Sequence, residues 1–125
     1  MVIHHAIHQH LQERNWVGLE VDLCLTGCQH SLREYHNGHL PIHYAINRNC
    51  PDKLILDMIK IYPSCATRKN TQGDLPLHSC AKFGASTTVM TALLLEYPDA
   101  INVKVRLWSR WQFQVLLIFL TYLSL

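Results

Sequence analysis

"NGHLPIH" spans Asn37 to His43, and "QGDLPLH" spans Gln72 to His78. The two stretches lie 35 positions apart and agree at Gly38/Gly73, Leu40/Leu75, Pro41/Pro76 and His43/His78. The agreement runs on in both sequence and character. Tyr62-Pro63 falls on Tyr97-Pro98, and Lys69 falls on Lys104. Between these anchors apolar faces apolar: Leu54 with Val89, Ile55 with Met90, Met58 with Leu93, Ile59 with Leu94. A chance echo does not hold its phase over so many columns. A period of this size marks a chain built from copies of one supersecondary unit.

Each copy has the same readable parts. Gly38 and Gly73 sit in polar clusters, where glycine permits a tight turn. Pro41 and Pro76 suit the first position of a helix, whose N–H has no intrahelical partner to lose. Short helices are expected over 41–48 and 76–83, stopping at Asn49 and Gly84. Those are the residue types that best tolerate a left-handed helix end. A second helix then starts at Pro51-Asp52 in one copy and at a Ser86 or Thr87 cap in the other. "LILDMIKIY" and "VMTALLLEY" carry apolar residues at helical spacing, and Pro63 and Pro98 close both helices. One such unit cannot bury its own apolar face, whereas stacked copies cover one another.

With "GHLPIHYA" at 38–45 and "GDLPLHSC" at 73–80, the chain resembles the ankyrin repeat family, whose signature there is G-x-T-P-L-H-x-A. The resemblance covers roughly residues 4–104 and is strong from 35 to 104. It implies an all-α solenoid of short helix-turn-helix units at about 1–34, 35–69 and 70–104, together one repeat domain over 1–104. It also implies that His43 and His78 are structural, with rings hydrogen-bonded to backbone between turns. Gly38, Pro41, His43, Gly73, Pro76 and His78 form the repeat signature. Three features depart from the family. The period is 35 residues where the family's is about 33, the extra two falling between the second helix and the next turn. Leu40 and Leu75 replace a threonine whose hydroxyl caps the first helix, a bond of about 1 kcal/mol. Tyr-Pro replaces the glycine that normally ends the second helix. An eroded first copy is expected, with "IHHAIHQHLQERN" and "WVGLEVDLCL" as its helices and "HHAI" at 4–7 echoing "HYAI" at 43–46.

Composition excludes several classes. The chain has 125 residues, one domain in length, and 49% hydrophobic content, which separates it from disordered chains. Its 11 basic and 9 acidic residues are mixed, so charge points to no nucleic acid and no membrane surface. The five cysteines, Cys24, Cys28, Cys50, Cys65 and Cys80, are odd in number and irregular in spacing. No secretory signal stands at the N-terminus, so reduced thiols and an intracellular, cytoplasmic location are expected.

Nine histidines raise the question of metal. His4 and His8 share a helical face, with His5 and His10 nearby, but no carboxylate lies among them and no HExxH motif occurs. Cys24, Cys28 and His30 give half of a zinc spacing with no second half. The expectation is no metal and no cofactor, with the N-terminal helix a partly exposed, histidine-rich cap. Asp74 and Ser79 lie near His78, but their counterparts are His39 and Tyr44. A catalytic triad would need partners that the repeat does not keep, so no enzyme activity is expected.

After Lys104 the repeat fails. Residues 105–125 read "VRLWSRWQFQVLLIFLTYLSL", with no turn glycine and no L-P-x-H. Three readings stand. The segment caps the last helix pair; or it tethers the protein to a membrane through 111–125, about 22 Å of helix against a hydrocarbon core of about 30 Å; or it is translated intron, since Val-Arg can be encoded by a splice-donor sequence.

The function expected from the resemblance is a non-catalytic protein-interaction module for a partner protein. Its contacts are at the turn tips and the inner face of the first helices: His36, Asn37, His39, Asn47 and Arg48, then Thr71, Gln72, Asp74, Lys82 and Phe83. The alternatives are the membrane-tethered repeat protein and a histidine-rich metal binder.

Overall fold

A computed structural model describes residues 2–24 and 31–102, with 2–6 and 101–102 seen through their backbone alone. The described chain is all-helical, with no strand beyond an isolated antiparallel bridge between His36 and His39. Among the described residues six bounded α-helices run in three pairs: α1 (Val2–Glu13) and α2 (Trp16–Leu23), α3 (Pro41–Asn47) and α4 (Asp52–Ile61), α5 (Pro76–Phe83) and α6 (Thr87–Glu96). Short 3-10 turns, Pro63–Thr67 and Pro98–Asn102, follow α4 and α6. First helices pack side by side (α1 on α3, α3 on α5), as do second helices (α2 on α4, α4 on α6).

The 35-residue period is written in the torsion angles. Gly38 and Gly73 both sit at φ 82°. Leu40 and Leu75, the caps of α3 and α5, have φ/ψ of −78°/160° and −76°/160°. Tyr62 and Tyr97, which end α4 and α6, sit at −133°/78° and −145°/81°. Asn49 at φ 59° and Gly84 at φ 72° are the left-handed stops expected of them. Ser86 caps α6 by accepting from the Val89 N–H at 3.3 Å. Pro51 is the cap of α4 rather than its first residue, so the helix begins at Asp52.

The first pair keeps the same register. Arg14 has φ 55°, and it stands 35 residues before Asn49. The N–H of Asn15 bonds the carbonyl of His10 at 2.8 Å, as Cys50 bonds Ala45 and Ala85 bonds Cys80, each at 2.9 Å. Core positions recur in step: Ile7, Ile42, Leu77; Leu11, Ile46, Ala81; Leu19, Leu54, Val89; Leu23, Met58, Leu93. This corrects the expected pairing of "HHAI" with "HYAI", which is out of phase by four residues. The counterpart of His43 is His8. The cause is plain in the chain: Arg14 does the work of Asn49 and Gly84 without being a residue type that announces a left-handed turn.

Candidate functional site

The caps of α3 and α5 lack a side-chain acceptor, because leucine has none. The other half of the arrangement survives. The Leu40 N–H donates to His43 Nδ1 at 3.3 Å, and the Leu75 N–H donates to His78 Nδ1 at 3.0 Å. Histidine at the third helical position here does what glutamate does in a capping box. With Nδ1 accepting, His43 must carry its proton on Nε2. That proton is given to the carbonyl of Asp74, 3.1 Å away in the next turn. His8 Nε2 reaches the carbonyl of Glu34 at 3.3 Å, five residues short of the position that matches Asp74. Both contacts tie one helix pair to the chain leading into the next.

Burial pushes the His43 pKa down from 6.5 to about 4; the bond to Asp74 opposes the shift and the nearby His39 adds to it. His8 is buried, 6% exposed, on the inner side of a helix that is partly exposed as expected, with Gln9, Gln12 and Glu13 facing outward. Its ring lies 4.8 Å from that of His36 and edge-on to Tyr44 at 5.5 Å. Among the described residues no group of three His, Cys, Asp or Glu is placed to hold a metal ion. The side chains of His4 and His5, and the whole of Cys28 and His30, lie outside them. His78 is fully buried with Nδ1 taken by backbone, and Ser79 is 4% exposed.

The turns that receive the latches are themselves stacked. Asn70 Oδ1 accepts from the N–H groups of Gln72 and Asp74 at 2.9 and 3.0 Å, folding the chain back on itself. The Thr71 N–H then donates to the Gly38 carbonyl at 3.0 Å, joining the two turns edge to edge. Tyr35 adds a second tie: its hydroxyl donates to the Lys69 carbonyl at 2.9 Å, and Arg68 lies over its ring.

Between the stacked turns and the facing sides of α3 and α5 runs a groove of about 160 Å³. His39, His43 and Asn47 form one wall, Asn70, Gln72 and Asp74 the end nearest the turns, and Ser79, Lys82 and Phe83 the other wall. Six of the ten residues singled out from sequence therefore converge: His39, Asn47, Gln72, Asp74, Lys82 and Phe83. The other four lie outside the lining. His36 is held in its turn by reciprocal backbone bonds to His39, Asn37 occupies the turn tip at φ 52°, and Thr71 is spent on the turn-to-turn bond. Arg48 ends α3, its Nε buried without a hydrogen-bond partner among the described residues. Asn70 and Ser79 were not singled out. An Asn three residues before glycine, inside a polar cluster, signals such a turn; nothing signals Ser79.

Phe83 is 44% exposed, as expected of an aromatic contact residue. Asp74 is not the exposed tip residue expected. It is 6% exposed, buried by the turn it closes, with its carboxylate bordering the groove. Burial raises its pKa from the ordinary value, and Lys82 and His39 only partly offset that. No hydrogen bond or ion pair reaches the carboxylate from the described residues.

No family model, curated protein or solved structure matches the chain. No helix among the described residues is long and apolar enough to cross a membrane, and the candidate anchor at 111–125 lies outside them.

Proposed function

We propose that the chain is a protein-interaction module: an ankyrin-like solenoid of three helix pairs that binds a partner protein in the groove between α3 and α5 and does no chemistry of its own. The observation that supports this most is the convergence of His39, Asn47, Gln72, Asp74, Lys82 and Phe83 on one concavity. These residues come from two separate repeats, and the stacked turns hold them in fixed relation. Rigid elements presenting variable side chains are what a recognition surface requires. The common period of 35 residues, the alternation of short helices and the histidine latches all agree with the ankyrin-like reading. The groove's size suits a single protruding side chain or a short peptide segment, being smaller than the roughly 300 Å³ at which cofactor and metabolite sites begin.

Selection of peptides from a random display library against the full chain tests this. Binders are expected that lose affinity for Phe83→Ser and Asn47→Lys and keep it for Val17→Ser, whose side chain is exposed on α2 away from the groove. Binders indifferent to the two groove variants would refute the assignment.

A further inference from the structure

We infer that the groove selects partners carrying an arginine, whose guanidinium docks on the Asp74 carboxylate. The inference rests on the interaction reading of the groove and adds to it the chemistry of the ligand. Asp74 is held in place from both sides of its backbone. Its N–H donates to Asn70 Oδ1, its carbonyl accepts from the Asn70 N–H at 2.9 Å, and the same carbonyl accepts from His43 at 3.1 Å. The main chain is thus fully committed, and the side chain is left at the groove with no bonded partner among the described residues. It is the one acid among the groove's lining residues. Asp74 as a residue is 6% exposed, and its carboxylate, with no bonded donor among the described residues, gains more from an arriving donor than a fully solvated one does. Among protein side chains, guanidinium supplies two parallel donors in the geometry a carboxylate accepts, and it loses the least hydration on the way.

Phe83 and Lys82 refine the choice. Phe83 lines the same groove, 44% exposed, and offers an aromatic face to a guanidinium. Lys82 places its own ammonium over that ring, 5.7 Å from the centroid. The site therefore already accommodates a cation, and Lys82 occupies part of what an incoming arginine would use. Lys82 acts as an internal competitor on a flexible stem. Removing its charge strengthens the interaction, whereas removing that of Asp74 abolishes it. A partner recognised through an acidic side chain would give the opposite pair of effects.

The test is a titration of the full-length, isotope-labelled chain with Nα-acetyl-arginine N-methylamide, followed by backbone amide shifts. The citrulline analogue, equal in shape and uncharged, is the control. Saturable shifts are expected at residues 70–74 and 82–83, with the arginine compound binding about tenfold or more tightly than citrulline. Asp74→Asn, which leaves the backbone bonds intact, is expected to erase that preference, and Lys82→Met to raise arginine affinity several-fold. Equal response to the two compounds, or a preference that survives Asp74→Asn, overturns the inference. Peptides selected on the groove that contain no arginine would overturn it too, while leaving the interaction reading standing.

Discussion

The ring of His43 leaves its own helix pair and donates from Nε2 to the carbonyl of Asp74, 3.1 Å away, while its Nδ1 accepts from the Leu40 N–H. One neutral side chain thus caps a helix and joins two repeats. The bond from the Leu40 N–H depends on the ring being uncharged, since a proton on Nδ1 would face it donor to donor, whereas the bond to Asp74 is kept in either state.

Acid should therefore destabilise the fold, because a charged ring is costly to bury at this position. The His43 pKa falls from 6.5 to about 4 on folding, so above 6.5 both states are neutral and the latch contributes fully. Between those values the unfolded chain binds a proton that the folded chain refuses, so stability falls as pH falls. The loss approaches about 3 kcal/mol by the folded-state pKa and then levels off. Urea denaturation across that window, compared with His43→Gln, measures it; equal pH dependence in the two chains would contradict the assignment.

Gly38 and Gly73 share φ 82° but not their surroundings. A Cβ at Gly38 would fall on the Thr71 side chain, whereas one at Gly73 meets nothing within 4 Å. Alanine at Gly73 should cost only the left-handed backbone, about 1 kcal/mol. Alanine at Gly38 should cost about 1–3 kcal/mol more, because the two turns must separate. Equal losses on thermal denaturation would mean that the turns are not stacked.

Restoring threonine at the helix caps should not help. Leu40 and Leu75 are both fully buried, and each contributes about 2 kcal/mol of burial. A threonine cap returns about 1 kcal/mol. Leu40→Thr and Leu75→Thr are each expected to destabilise by about 1–2 kcal/mol, which denaturant midpoints would show. A gain in stability would show that the cap outweighs the core at these positions.

Thiol chemistry should sort the cysteines by place in the fold. Cys24 is exposed, while Cys50, Cys65 and Cys80 are buried. Burial lifts the Cys50 and Cys65 thiols to about 12 and Cys80 higher still. Native alkylation followed by peptide mapping should label Cys24 and spare those three until denaturant is added. Rapid native labelling of Cys80 would contradict its place at the centre of α5.

Much of this architecture was readable where a residue type has one physical use. Pro41 and Pro76 open helices, Gly38 and Gly73 turn, and Asn49 and Gly84 stop, because few other residues do these things cheaply. The first repeat was harder to place, since Arg14 holds a left-handed conformation its type does not advertise. Its phase was nonetheless present in Ile7, Leu11, Leu19 and Leu23, which fall on core positions under a shift of 35. In the groove, Phe83, Lys82 and Asn47 were legible as outward positions on helices. The burial of Asp74 was not, because it depends on how the Asn70 turn folds back.

The joint between repeats can be read directly from the imidazole nitrogens of His43. Long-range nitrogen–proton correlation spectra of the labelled chain at neutral pH report which ring nitrogen holds the proton. The account predicts a single neutral form protonated on Nε2, persisting well below the pH at which free histidine titrates, with that proton slow to exchange. A ring protonated on Nδ1, or one that titrates like free histidine, would contradict it.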